Sequence, residues 1–173
     1  MSPDSDDAAL LAAVAGGEME ALRVLHHRHA PWLRARLARR CGDPDLVQSA
    51  VQDTFVAVWQ DAGRYRPSEG AAGAWLWTIA IRRLVSALRG RPAPVTGKPG
   101  VTESAEDLVL RAVEHGDLGT ALSRLSPDLR AAIQATILDG LTVKEAAHLL
   151  GVPEGTVKTR VMRAKAQLRE LLT

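Results

Sequence analysis

LTVKEAAHLLGVPEGTVKTRVMRAK, residues 141–165, carries the signals of two helices meeting at a sharp turn. Thr142 and Glu145 stand at capping-box spacing, in which each side chain satisfies a backbone donor of the other. Ala146 and Ala147 are small enough for a crossing helix to come close, and Gly151 supplies the backbone freedom for the turn before Pro153. The spacing predicts helices over residues 143–150 and from residue 154 to about residue 172. On the second helix, Val157, Val161, Ala164, Leu168 and Leu171 follow one apolar stripe at three- and four-residue intervals. Lys158, Thr159, Arg160, Arg163 and Lys165 occupy the other face. That division suits a recognition helix, seated by its apolar side and offering cations and hydroxyls to a DNA major groove. A bundle helix with a solvated basic face shows the same stripe. The capping box, the Gly turn and the alanine pair coincide with it, and together they favour DNA binding.

Residues 141–173 hold six basic and three acidic side chains, with the positive charge concentrated after the turn. Thr142 and Lys144 open the supporting helix, where free backbone donors make them candidates for phosphate contact.

Upstream, residues 90–100 (GRPAPVTGKPG) contain three Pro and three Gly. Such a stretch supports neither a helix nor a buried strand and reads as a flexible linker. Strand signals are nearly absent elsewhere, and Ala, Leu and Arg dominate. The expected fold is all-α, with roughly seven to nine helices. Two small helical domains are expected, residues 1–89 and 104–173, joined by a linker at 90–103. Asp43-Pro44 and Ser126-Pro127 each offer an N-cap followed by Pro at the first helical position. Ser104 and Asp107 make a weaker capping pair.

The chain has 173 residues and a formal net charge of only +2, so net charge selects no partner. Its distribution says more. Residues 70–102 contain no acid but include Arg82, Arg83, Arg89, Arg91 and Lys98, whereas residues 43–61 contain four Asp and no Lys or Arg. Blocks of opposite sign suggest separate surfaces for separate partners.

In the acidic helix, Val47, Ala50, Val51, Phe55 and Val58 keep helical spacing, leaving Ser49, Gln52 and Asp53 on the other side. That side could equally be a solvated face or a surface for a basic partner. In residues 74–89 (AWLWTIAIRRLVSALR), Arg82, Arg83 and Arg89 supply phosphate attraction, and Trp75 and Trp77 bring flat π-faces. A basic track beside stacking platforms is the recipe for single-stranded nucleic acid. Core packing is the competing role for either Trp.

The run Gly151 to Arg160 (GVPEGTVKTR) resembles region 4 of the extracytoplasmic-function sigma factors, although a response-regulator output domain has a similar helix-turn-helix. The segment Val51 to Trp59 (VQDTFVAVW) resembles region 2.2 of the same family, and residues 74–89 resemble regions 2.3 and 2.4. Two modules in this order, joined by a Pro/Gly linker, are far more specific than either alone.

The resemblance implies a subunit that binds core RNA polymerase and directs promoter recognition, melting and initiation. It implies −35 contacts from Thr142, Lys144, Thr156, Lys158, Thr159, Arg160 and Arg163. It implies −10 contacts from Tyr65, Trp75, Trp77, Arg82, Arg83, Ser86 and Arg89, with the extruded base held by the loop before that helix. Ser49, Gln52, Asp53 and Phe55 would meet the β′ clamp helices, and the β flap would be a further contact. Partners so implied are core polymerase, promoter duplex, the non-template single strand and an anti-sigma factor covering both domains, since no region 1.1 is recognised. The chain departs from the family at Gln48-Ser49, where an acidic pair is usual, and at Arg82 and Ser86, where Asn and Asp are frequent.

Cys41 is the only cysteine, which excludes an internal disulfide. No apolar run is long enough to span a membrane, and the acidic N-terminus lacks a signal n-region. A cytoplasmic location is expected. His26, His27 and His29 do not converge on a helix, and no catalytic motif appears, so no metal, cofactor or enzyme activity is expected. Two rivals stay open: a helix-turn-helix regulator acting without polymerase, and a protein-binding adaptor.

Overall fold

The computed structural model describes residues 3–89 and 117–172, and the chain divides into two units, Met1–Arg91 and Pro92–Thr173. Among the described residues there is no strand. The linker read over residues 90–103 and the Ser104/Asp107 cap lie outside the described residues.

The first unit is built from α1 (Pro3–Ala15), α2 (Met19–Ala38), α3 (Pro44–Asp61) and α4 (Ala72–Arg89), with 3-10 turns at Ala62–Arg64 and Pro67–Glu69 before α4. Asp43 caps α3, its side chain accepting from the N–H of Asp45 at 3.0 Å and of Leu46 at 3.4 Å, with Pro44 as the first helical residue. The helices bury Leu11, Leu25, Leu33, Leu37, Val51, Val58, Leu76, Ile81 and Leu84 in one core. Each such side chain taken out of water contributes roughly 1.5–3 kcal/mol before conformational entropy is charged against it.

One polar cluster interrupts this apolar packing. Asp7 and His29 are both buried, with His29 Nε2 2.9 Å from Asp7 Oδ2. Arg28 donates to Asp7 and, at 2.8 Å, to Asp6. The Arg28 guanidinium is held above its ordinary pKa, first by its hydrogen bond to Asp6 and then by that to Asp7, against desolvation. Two acids of α1 thereby clamp the middle of α2.

The second unit contains α5 (Asp117–Ser123), α6 (Pro127–Ile133) continued by a π-helical turn at Gln134–Leu138, α7 (Val143–Leu150) and α8 (Glu154–Leu172). Ser126 Oγ accepts from the Leu129 N–H at 3.4 Å, with Pro127 following it at the helix start. Leu122, Leu125, Leu129, Ile133 and Ala164 form the core, with Val161 and Leu168 packed against it. Arg130 donates to the carbonyls of Ser123, at 3.2 Å, and Leu125, at 3.0 Å, tying the end of α5 to α6.

Candidate functional site

The turn between α7 and α8 forms as its residues dictate. Thr142 Oγ1 accepts from the Glu145 N–H at 3.1 Å, and Glu145 Oε1 accepts from the Thr142 N–H at 3.0 Å. Gly151 ends α7 in the left-handed region, φ 66° and ψ 33°, a conformation that costs a residue with a Cβ roughly 1–2 kcal/mol. Ala146 is fully buried, and α7 packs against α8.

On α8, Val157 and Ala164 are fully buried and Val161 and Leu168 partly so, whereas Leu171 is exposed. The apolar stripe therefore stops a turn short of the helix end. Lys158, Thr159, Arg163 and Lys165 are exposed, as are Thr142 and Lys144, and Thr156 is half-buried. The Thr159 hydroxyl donates to the Gly155 carbonyl at 3.0 Å, which leaves its oxygen as an acceptor. Arg160 is turned toward α6. Its Nη2 lies 3.8 Å from Asp128 Oδ2. Met162 stands 66% exposed on the face that carries Thr159 and Arg163. Sequence reasoning passed over it because methionine is usually core, yet its three-residue step from Thr159 already placed it opposite the buried stripe.

On α4, Arg82, Arg83, Ser86 and Arg89 are exposed, and Thr78 and half-buried Trp75 and Ile79 continue the same strip toward the helix start. Trp77 corrects the expectation: it is only 5% exposed, and the Arg36 guanidinium covers its ring at 4.6 Å from the centroid. Two residues beyond Trp75, it falls on the other side of the helix, so its π-face serves the α2–α4 packing and is closed to a base. Tyr65 is also largely buried. Its hydroxyl donates to the Gly70 carbonyl at 3.0 Å, and its ring lies 5.5 Å from that of Trp75. Gly70 sits at φ 144°, ψ 171°, a region open only to glycine. Tyr65 thus closes the loop that leads into α4 and packs against Trp75.

On α3, Ser49, Gln52 and Asp53 are exposed together with Val56, at 56%, and Trp59, at 37%. Phe55 is corrected by the structure: it is 6% exposed and meets the His26 ring edge-on at 4.7 Å. Its spacing matches the buried residues Val51 and Val58, and it shares their side of the helix. Val56 and Trp59 take its place as the apolar part of this face, one helical turn on from Gln52 and Asp53. Beside them, Arg34 of α2 donates to Gln48 at 3.2 Å.

Among the described residues no group of three His, Cys, Asp or Glu side chains is placed to hold a metal ion. No described helix is long and apolar enough to cross a membrane.

Sigma-70 region 2 is matched by residues 25–92, and sigma-70 region 4 by residues 115–168. The chain is 33% identical over 171 residues to the ECF RNA polymerase sigma factor SigM of Mycobacterium tuberculosis, covering 98% of this chain and 86% of that protein. It is 29% identical over 174 residues to the ECF RNA polymerase sigma factor RpoE of Cereibacter sphaeroides, covering 98% and 96%. The crystal structure of Rhodobacter sphaeroides SigE in complex with the anti-sigma ChrR is 25% identical, covers 98% of this chain and 99% of that one, and superposes with a TM-score of 0.48. On one-third identity along nearly its whole length, with both regions matched in order, the chain belongs to the extracytoplasmic-function RNA polymerase sigma factors of the sigma-70 family.

Proposed function

We propose that three exposed helix faces divide the work of this sigma factor. Family membership makes the chain a promoter-recognition factor that works with RNA polymerase, and the free-standing regulator and the adaptor fall with it. The finer assignment concerns which residues do what. The α3 face, with Ser49, Gln52, Asp53, Val56 and Trp59, docks on the β′ clamp helices of core polymerase. It combines a carboxylate, an amide and a hydroxyl with an apolar centre, the composition that gives a protein interface both affinity and register.

The α7–α8 unit reads the −35 duplex. Lys144, Lys158 and Arg163 neutralise phosphates, and Thr142, Thr156 and Thr159 offer hydroxyls. Met162 gives an apolar contact for a thymine methyl. The α4 strip holds the opened non-template strand at −10. Arg82, Arg83 and Arg89 track its phosphates, Ser86 lies among them, and half-buried Trp75 offers the exposed part of its ring for stacking. In this assignment Tyr65 shapes the base-holding loop, and Trp77 holds α4 in place.

The observation that carries the reading is the exposure pattern. On all three helices the proposed contact residues are exposed, apart from half-buried Thr156 and Trp75, and the residues between them form the core. The β flap is a further proposed partner of the second unit, whose exposed Ile137 and Leu138 provide apolar surface. An anti-sigma factor is proposed as the regulatory partner, and a cytoplasmic site of action follows from work with polymerase.

Co-purification of the full chain with core polymerase tests the division. Asp53→Arg should abolish it, and Arg163→Ala should leave it intact while weakening promoter binding. Loss of core binding in Arg163→Ala, with the fold preserved, would contradict the assignment.

A further inference from the structure

Asp128, in the first turn of α6, faces Arg160 of α8 at the surface of the second unit, at 3.8 Å between Oδ2 and Nη2. The Arg160 side chain is 26% exposed, whereas that of Asp128 is 76% exposed. The carboxylate therefore stands on the solvent side of the pair, where an approaching phosphate would meet it. We infer that Asp128 is a positioning residue that holds Arg160 back from DNA and so restrains binding to duplex of arbitrary sequence. The inference rests on the reading of α8 as the DNA-facing helix and goes beyond it, because Asp128 belongs to another helix and carries the wrong charge for a DNA contact.

The physics is a competition. A guanidinium already facing a carboxylate gains little by exchanging it for a phosphate, and the freed carboxylate then repels the DNA backbone. Sequence-independent affinity comes almost entirely from cations that displace counterions, roughly 0.9 of a counterion per phosphate neutralised. Neutralising Asp128 should therefore return one full cation to the surface. A cation held back in the free chain limits its capture by bulk DNA, while docking α8 into its own site can still make the exchange worthwhile.

The test uses the full chain and a fluorescent non-promoter duplex of about 30 base pairs, enough for three turns of DNA, titrated by anisotropy over a salt series. Asp128→Asn should tighten binding roughly threefold or more at low salt and steepen the logarithmic salt slope by about 0.9. In an Arg160→Ala background the same substitution should change affinity less than about twofold, because the coupling partner is gone. Circular dichroism of each variant secures the fold, and Asp128→Glu, which keeps the charge, should behave as wild type. Unchanged or weaker binding by Asp128→Asn overturns the inference. An equal gain with and without Arg160 overturns it too, showing a general field effect. Absence of any duplex binding by wild type and variants alike would take down the reading of α8 as well; binding insensitive to Asp128 would remove only the restraint.

Discussion

His29 lies with Nε2 2.9 Å from the carboxylate of Asp7, and Trp32 Nε1–H donates to the other ring nitrogen, Nδ1, at 2.8 Å. Because Nδ1 accepts, Nε2 carries the proton that faces Asp7. The relay runs from α1 through α2 toward α4, since a Cβ added to Gly73 would stand 3.8 Å from Trp32 Cζ2. Asp7→Ala should therefore cost about 2 kcal/mol by stranding a buried donor. Asp6→Ala, whose carboxylate is 46% exposed, should cost under about 1 kcal/mol. Urea unfolding followed by circular dichroism separates the two, and equal losses would mean that α1 is not anchored through Asp7.

Two neighbours on α3 should behave in opposite ways. Phe55→Ala removes a buried ring and should lower stability by about 3–5 kcal/mol. Val56→Glu, on the exposed face, should change stability by no more than about 0.5 kcal/mol while weakening association with core polymerase at least tenfold. Unfolding curves and a core-binding titration check both. A stable, binding-deficient Phe55 variant would reverse the assignment of that face.

The tryptophans of α4 should part in the same way. Trp77→Ala exposes the gap beneath Arg36 and should destabilise the first unit by about 3–5 kcal/mol. Trp75→Phe keeps a ring beside Tyr65 and should fold normally. Trp75→Ala should weaken binding to a pre-melted −10 fragment, a lost stacking contact being worth about 1–3 kcal/mol per base. Arg82→Ala and Arg83→Ala should each reduce the salt slope for that fragment by about 0.7.

At the helix-turn-helix, Gly151→Ala should cost about 1–2 kcal/mol through its left-handed backbone. Thr142→Ala should cost about 1 kcal/mol through the lost cap. Thermal unfolding of each variant checks the values, and a neutral Gly151→Ala would mean that the turn relaxes.

The caps at Asp43, Ser126 and Thr142, and the bounds of α7 and α8, were legible because their signals are local: a polar side chain, a proline or a glycine within four residues of the group it satisfies. The all-α fold followed from the same periodicity. Phe55 carried a contact role only through the family resemblance and Trp77 through its flat ring, whereas the position of each on its helix buries it. In both cases the spacing to neighbours of known burial held the correct answer. The Asp7–His29 pair and the approach of Arg160 to Asp128 had no local signal, since their partners are separated by more than twenty residues and meet only after packing. Arg36 over Trp77 is of the same kind, a contact between helices that no window on the chain could reveal.

The division of labour among α3, α4 and α8 is tested most directly by run-off transcription from a cognate promoter, using purified core polymerase with wild type, Asp53→Arg and Arg163→Ala in parallel. Wild type should initiate. Asp53→Arg should be silent at every concentration because it never joins the polymerase, and Arg163→Ala should join it fully yet initiate weakly, with recovery at lower salt. Full activity of Asp53→Arg, or a wild-type chain that joins core enzyme and starts no transcript at any promoter, would contradict the assignment.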